Sequence, residues 1–198
     1  MRLVLTGFGA FPGVEDNPSQ ALVEHFRLHP DLLPSPRHLA LLDVDYAAVG
    51  SALDVLLEAE PEALILTGYS NLAAAINLEA QASGLCAADK PDIRGFAPSE
   101  AAEPPETLTS NCDLPSLRSA VEALGLPCHV SQDAGAYLCN YSYRHVLARI
   151  AENQLQTRAL FVHLPALEGS GLASTSAASI SMEAACTGIV RIAQELTS

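Results

Sequence analysis

Positively charged side chains are scarce in this sequence. Ten Lys and Arg stand against 23 Asp and Glu, which gives a formal net charge of −13 at pH 7. Nucleic acids and anionic membranes bind proteins through a positive footprint, so neither is expected as a partner. We interpret the acidity as a contribution to solubility.

Long apolar runs are missing as well. The run that opens the chain, Met1 to Gly7, is too short for a signal peptide, and no later segment approaches the length of a membrane span. The cysteines are odd in number, scattered and never arranged as Cys-x-x-Cys, which is typical of a reducing compartment. They are Cys86, Cys112, Cys128, Cys139 and Cys186. We therefore expect a soluble, cytoplasmic protein that does not bind membranes.

Metal-ligand spacings are also absent from the sequence. Its six histidines show no His-Glu-x-x-His or comparable pattern. We therefore expect no dedicated metal site.

What the sequence does contain is a regular alternation of short apolar runs with amphipathic segments. Strands are predicted at 2–6, 38–44, 63–67, 75–79, 128–130 and 159–163. Helices are predicted after the cap Asn17, at 46–58, at 115–124, after about Cys139, and at 182–196. Repeated strand-helix-strand order predicts an α/β fold whose sheet is covered on both faces. The length fits a single domain, 1–198.

Two segments do not follow this alternation. Residues 87–112 are rich in Pro, Ala, Glu and Ser, and residues 168–179 in Gly, Ser and Ala. Long loops inside a compact domain are usually mobile, functional or both. Either segment is a candidate lid, and a disordered insertion is an equally open interpretation.

Cys139 lies where an apolar run gives way to a helical pattern. A cysteine at a helix N-terminus is favoured as a thiolate by the unbonded N–H groups and the helix dipole. His163 interrupts the apolar strand 159–165. The two residues at the ends of neighbouring strands suggest nucleophilic hydrolysis. An inert buried cysteine and a hydrogen-bonded core histidine are the commoner interpretations of each residue alone.

Three further residues are candidates for the same site. Glu79 ends a strand-like stretch and can orient a histidine, although an exposed strand glutamate is the commoner case. Phe8 and Phe11 stand on a glycine-flanked loop at the C-terminal end of the first strand, where open α/β sheets bind ligands. Two aromatic faces can clamp a small flat group, or they can simply fill the core beneath the loop.

Two other motifs are weaker. Gly7, Gly9 and Gly13 hint at a dinucleotide-binding turn, but the spacing is not Gly-x-Gly-x-x-Gly and the next helix begins too late to face a pyrophosphate. Ser70 follows a strand as in a nucleophile elbow, but Leu72 stands where that turn needs glycine. We interpret Ser70 as a loop serine.

Taken in order along the chain, the motifs resemble those of type I pyroglutamyl (pyrrolidone-carboxylate) peptidases, cysteine peptidases that remove an N-terminal pyroglutamate. The opening Val4-Leu-Thr-Gly-Phe-Gly-Ala-Phe-Pro-Gly13 and Asn17-Pro-Ser19 are similar to the family's Thr-Gly-Phe-x-Pro-Phe-Gly-Gly and Asn-Pro-Ser/Thr. Residues 131–141 resemble its Ser-x-x-Ala-Gly-x-Tyr-Leu-Cys-Asn-Tyr, and Phe161-Val-His-Leu-Pro165 resembles its Phe-x-His-Val-Pro. The likeness runs nearly end to end.

The resemblance implies a role for each candidate. Cys139 is the expected nucleophile, His163 the general base and then acid, and Glu79 the group that fixes the imidazole. Phe8 and Phe11, with Asn17 of the matching Asn-Pro-Ser, are the expected substrate-binding residues. The implied fold is a single αβα sandwich with a mainly parallel, twisted open sheet, often a homotetramer, with no metal or organic cofactor. The implied partners are small peptides that begin with pyroglutamate.

Three arginines of the family pattern are missing. Ala73 and Ala80 stand where Gly-Gly-Arg and Glu-Arg are usual, and Asp89 replaces a third arginine beside Lys90. A lysine does not reproduce a bidentate guanidinium. Two alternatives to an active peptidase therefore stay open: a related protein that binds pyroglutamyl ligands with weak or no turnover and, more distantly, a nucleotide-binding α/β enzyme.

Overall fold

The computed structural model describes residues 2–87, 89–98 and 106–198. The strands in these ranges are β1 (Leu3–Phe8), β2 (Arg37–Leu42), β3 (Ala63–Tyr69), β4 (Ile76–Glu79), β5 (Gln81–Ala82), β6 (Leu108–Thr109), β7 (Cys128–Ser131), β8 (Arg158–Leu164), β9 (Ala166–Leu167) and β10 (Ser179–Ile180). The α-helices are α1 (Pro18–Leu28), α2 (Tyr46–Leu57), α3 (Leu114–Glu122), α4 (Leu138–Glu152) and α5 (Met182–Leu196), and a 3₁₀ turn spans Pro30–Leu32.

The main sheet has six strands in the order β2-β1-β3-β8-β4-β7. Every neighbouring pair is parallel except β4 and β8, which run antiparallel. β8, the last of the six in sequence, lies between β3 and β4 and joins two halves of the sheet. The predicted α/β fold with a mainly parallel sheet is confirmed.

Helices cover both faces of this sheet. Alternate side chains of its strands therefore enter two different cores, one on each face. In β1, Leu3 and Leu5 belong to a core shared with α1, α3 and α5, whereas Val4 and Phe8 belong to a core shared with α2 and α4. The near-continuous apolar sequence of β1 is therefore that of a parallel strand buried on both sides. In β8 the same alternation places His163 on the α2 and α4 face.

The close packing of α1 explains one glycine of the opening loop. A Cβ at Gly7 would collide with the backbone carbonyl of Ser19, in the first turn of α1. The Ser19 hydroxyl in turn accepts a hydrogen bond of 3.0 Å from the backbone N–H of Phe8. Gly7 thus serves helix-to-strand packing here, which accounts for it without a nucleotide.

The smaller strands form two separate pairs, β5 with β6 and β9 with β10. The latter pair brackets most of the 168–179 segment. Its Ser176 hydroxyl lies 2.6 Å from that of Tyr69, and the Ala177 N–H donates to the Asn71 carbonyl over 2.8 Å. These contacts hold the segment against the loop that follows β3, where Ser70 lies as predicted. The part of the 87–112 segment at 99–105 lies outside the described residues.

Candidate active site

Cys139 is the second residue of α4, and it is half-buried. The other four α-helices of the described chain each have a side-chain N-cap, which Asn17, Asp45, Asp113 and Ser181 provide. At α4 the capping position is Tyr137, and no described side chain caps that helix. The first N–H groups of a helix have no partner within it. At α4 these unbonded N–H groups therefore favour a negative charge beside Cys139.

His163 lies in β8 and is held by Glu79 of the neighbouring strand β4. The Nδ1 atom of His163 is 2.8 Å from Oε1 of Glu79, and the two side chains are 7% and 1% exposed. This contact leaves the second ring nitrogen, Nε2, for Cys139. The structure thus brings together the three residues that the sequence predicted as a group.

The charges of this group act on the histidine. Burial alone would lower the pKa of His163, but the negative charge and hydrogen bonding of Cys139, together with those of Glu79, outweigh it and raise the pKa above the ordinary value. Both neighbours therefore favour a proton on the ring. Such an arrangement supplies both a nucleophile and a proton donor, which acyl transfer requires.

Gly68 is a neighbour of this group that the sequence did not single out. It lies in β3 directly opposite His163 in β8. A Cβ at Gly68 would be 2.9 Å from the sulfur of Cys139 and 2.9 Å from Cζ of Phe161. The sulfur therefore rests against the backbone of β3. No sequence pattern points to such a contact, because it depends on how two distant segments meet.

The predicted substrate-binding residues have three different surroundings. Phe8 is 4% exposed and belongs to the core on the α2 and α4 face. Phe11 is half-buried, with its ring centroid 6.2 Å from that of Tyr137, two residues before Cys139. Asn17 caps α1 and donates a hydrogen bond of 2.9 Å to the Gly9 carbonyl, so it holds the opening loop in place. Contact of these residues with substrate stays a prediction.

Residues 83–87 and 89–96 lie beside the start of α4. The side chain of Asn140 accepts from the N–H of Ser83 over 2.8 Å and donates to the carbonyls of Ser83 and Leu85 over 2.8 and 3.0 Å. Further along, the Tyr137 hydroxyl donates to the Pro91 carbonyl over 2.9 Å. Of these partners, Pro91 lies within the 87–112 segment that was predicted as a candidate lid, and Ser83 and Leu85 precede it.

Asp92 fixes the end of that segment. Its carboxylate accepts hydrogen bonds from the backbone N–H groups of Tyr46, Arg94 and Phe96 over 3.1, 2.9 and 3.0 Å. Burial acts to raise the pKa of Asp92, but these hydrogen bonds outweigh it and hold the pKa below the usual value. Asp92 thus joins the segment to the start of α2 as a stable carboxylate.

Tyr46 is the centre of an aromatic cluster beside the site. Its ring packs edge-on against Phe96, Tyr137 and Tyr141, with centroids 5.1 to 6.2 Å apart. Burial raises the pKa of its hydroxyl, with smaller contributions from neighbours that include Cys139. The cluster forms an apolar wall on the side of the site that faces Phe11.

The positions of the missing arginines carry no positive charge towards this group. Ala73 is fully buried, and Ala80 packs against the core shared with α1, α3 and α5. Lys90 is exposed. Among the described residues, Oε2 of Glu79 is buried and has no hydrogen-bond partner, so the carboxylate acts on His163 through Oε1 alone.

Two kinds of feature are not found in the described part of the chain. No group of three His, Cys, Asp or Glu side chains there is arranged to hold a metal ion. None of the described helices combines the length and apolar character needed to cross a membrane.

Comparison with known sequences gives one consistent result. The sequence model of the family described as pyroglutamyl peptidase matches residues 1–198. A pyrrolidone-carboxylate peptidase of Clavibacter michiganensis is 32% identical over 169 residues, which is 82% of this chain and 78% of that protein. One from Thermococcus onnurineus is 29% identical over 178 residues, which is 87% of each.

Solved structures agree with the sequence comparison. The pyrrolidone carboxyl peptidase of Thermus thermophilus superposes with a TM-score of 0.83 at 30% identity, over 98% of both chains. The pyroglutamyl peptidase I of Bacillus amyloliquefaciens superposes with a TM-score of 0.87, over 99% of this chain and 94% of the other. At 20% identity, the second comparison shows the shared fold alone.

Proposed function

The chain belongs to the pyroglutamyl peptidase family, and from this premise we propose that it hydrolyses the amide bond after an N-terminal pyroglutamate. In this proposal Cys139 is the nucleophile, His163 is the acid and base, and Glu79 orients the imidazole. One observation carries this proposal: Cys139, at a helix start without a side-chain cap, interacts with the buried pair of His163 and Glu79.

The reaction begins with attack by the Cys139 thiolate on the pyroglutamyl carbonyl carbon. The carbonyl oxygen becomes an oxyanion, and the N–H groups at the start of α4, including that of Cys139, are placed to stabilise it. His163 gives its proton to the leaving amine as the carbon–nitrogen bond breaks. The neutral ring then takes a proton from water, and the resulting hydroxide attacks the thioester carbon. The carbon–sulfur bond breaks, which releases the pyroglutamic acid and restores the thiolate beside the protonated ring.

The substrate ring is assigned to the space near Phe11 and Tyr137. Pyroglutamate has no charged amine, so an aromatic wall suits it and the acidic surface does not repel it. Phe8 supports this wall from the core below. Pro91, whose carbonyl accepts the hydrogen bond of the Tyr137 hydroxyl, lies on the side next to Tyr137. No step of the proposed reaction requires a metal or an organic cofactor.

The same proposal includes a cytoplasmic homotetramer. A nucleophilic thiol is preserved in a reducing compartment, which supports the location. An apolar cavity of about 570 Å³ along α5, lined by residues that include Leu32, Leu124 and Val190, supports association through that face. Leu32 and Leu124 are 46% and 47% exposed.

The first experiment measures the rate at which a fluorogenic amine is released from a pyroglutamyl amide. We expect turnover by the wild type and a loss of about 10⁴-fold or more in Cys139→Ala, because the nucleophile is removed. Cys112→Ala is the matched control, since Cys112 is another half-buried thiol and lies outside the segment beside the start of α4. We expect it to keep its activity.

Each outcome has a defined meaning. Turnover that survives in Cys139→Ala would assign the nucleophile elsewhere. No turnover by the folded, reduced wild type, combined with saturable binding of pyroglutamate in calorimetry, would replace the peptidase by the binding protein. A rise in melting temperature with NAD(P) would favour the nucleotide-binding enzyme instead.

A further inference from the structure

Gly68 of β3 lies where two side chains meet, the sulfur of Cys139 and the ring of Phe161. A methyl group there would be 2.9 Å from the Cys139 sulfur, 2.9 Å from Cζ of Phe161 and 3.1 Å from its Cε1. Attractive contacts between carbon atoms are found at about 3.5–4.0 Å. The space over Gly68 is therefore filled by these neighbours.

The same neighbours support the histidine. Phe161 lies two residues before His163 in β8, and their ring centroids are 4.8 Å apart. Phe161 is fully buried and also packs on Tyr143 of α4, with ring centroids 5.9 Å apart. Its ring is consequently fixed from both sides. The sulfur and the imidazole thus approach each other over a floor made of Gly68 and Phe161.

We infer that Gly68 is a positioning residue for this site: by having no side chain, it lets the Cys139 sulfur lie against β3 within reach of His163. Its kinetic consequence rests on the proposed peptidase function. The packing of the Cys139 sulfur against Gly68 does not rest on that function, and it can be measured separately.

The Cys139 sulfur and the Phe161 ring differ in how freely they can move away from a methyl group added at Gly68. The Cys139 sulfur is the end of a short side chain and can rotate about a single bond. The Phe161 ring is confined by its buried contacts. In Gly68→Ala the sulfur therefore turns away from His163, and the ring contact lowers stability. The three atoms nearest to the new methyl group belong to Cys139 and Phe161, and none of them to Phe11 or Tyr137.

The kinetic test compares wild type with Gly68→Ala on a pyroglutamyl amide. We expect kcat to fall about 100-fold with KM changed by less than about 2-fold, since the nucleophile is misplaced by about 1 Å and the ring pocket is intact. The rate at which iodoacetamide alkylates Cys139, followed by mass spectrometry across pH, should fall and change its pH profile. Gly50→Ala in α2 is the control, because its methyl group meets only the His145 ring, at 3.3 Å.

A melting-temperature cycle tests the packing without any substrate. Gly68→Ala is compared in the wild type and in the Cys139→Ala background, where there is no sulfur to collide with. We expect the decrease caused by Gly68→Ala to be larger by about 2 °C or more when the sulfur is present. If Gly68→Ala does not fold, the cycle is repeated with Phe161→Leu as the parent, which removes the ring contact.

The outcomes separate this inference from the proposed function. Equal decreases in both backgrounds, together with unchanged alkylation of Cys139, would overturn it even if the protein is an active peptidase. A positive cycle and slowed alkylation would support it even if no pyroglutamyl amide is hydrolysed. A rise in KM with kcat unchanged would assign Gly68 to ring binding and overturn its positioning role.

Discussion

At the scale of single residues, the site depends on one short contact between two buried groups. Oε1 of Glu79 lies 2.8 Å from Nδ1 of His163. A carboxylate in this position fixes the ring and stabilises its protonated form. Removal of the charge while the shape is kept should therefore change both the rate and its dependence on pH.

We predict that Glu79→Gln lowers kcat/KM for a pyroglutamyl amide by roughly 10² to 10⁴ fold. The sign of the pH effect follows from the raised pKa of His163, to which Glu79 contributes. As pH rises through that pKa the imidazole loses its proton while the sulfur stays a thiolate, so the proton donor for the leaving amine is lost. Without the Glu79 charge the pKa falls, so the alkaline limb of the pH profile of kcat/KM should move to lower pH.

A surface glutamate provides the control. Glu122→Gln changes an exposed carboxylate of α3 and should leave the pH profile unchanged. An unshifted alkaline limb in Glu79→Gln would show that Glu79 does not govern the proton on His163.

At the scale of elements, the start of α4 is organised by the segment beside it. Residues 83–87 are joined to α4 by the buried side chain of Asn140 and by a hydrogen bond of 2.6 Å from the Ala87 N–H to the Ala136 carbonyl. Asn140 follows Cys139 directly. The helix start that presents Cys139 is therefore fixed by contacts made from the next residue.

We predict that Asn140→Ala lowers the free energy of unfolding by about 2–3 kcal/mol, since it deletes three side-chain hydrogen bonds to backbone groups. Thermal unfolding should show a melting temperature lower by roughly 5–10 °C. Asn153→Ala serves as the comparison, because Asn153 is exposed and donates one hydrogen bond within its own helix. Similar decreases in both variants would mean that the 83–87 segment adds little to stability.

The main elements could be predicted from sequence because each carries its own periodic signal. The apolar runs of β1, β3 and β8 and the capped start of α1 are visible within a few residues of chain. The predicted bounds differ from the observed ones by at most two residues, at the ends of strands and helices. The two-residue strands β5, β6, β9 and β10 were not predicted, since so short a pairing has no period.

The site was predictable only in part, for a related reason. Cys139 and His163 could be found because each is a polar residue that interrupts or ends an apolar pattern. Gly68 and Asp92 could not, because their roles consist of contacts with residues far away in sequence. The sequence also left open whether Phe8 fills the core or contacts a ligand, and the structure places it in the core.

At the scale of the whole molecule, the proposed tetramer gives the next prediction. Leu124→Glu puts a charge at the apolar cavity along α5 and should dissociate the assembly, shown by a smaller mass in light scattering after size exclusion. Val55→Glu is the matched control, because Val55 is a similarly exposed apolar residue of α2, on the opposite face. A wild type that is monomeric, or a tetramer unaffected by Leu124→Glu, would contradict association through this face.

The position of β8 also bears on when the protein can become active during its synthesis. β8 is the last strand of the main sheet to leave the ribosome, yet it lies between β3 and β4 and carries His163. Before it arrives, β2-β1-β3 and β4-β7 have no strand to join them, and Cys139 has no imidazole beside it. Domains fold as units as the chain emerges. In the proposed mechanism, Cys139 can therefore be activated by His163 only after β8 has joined the sheet.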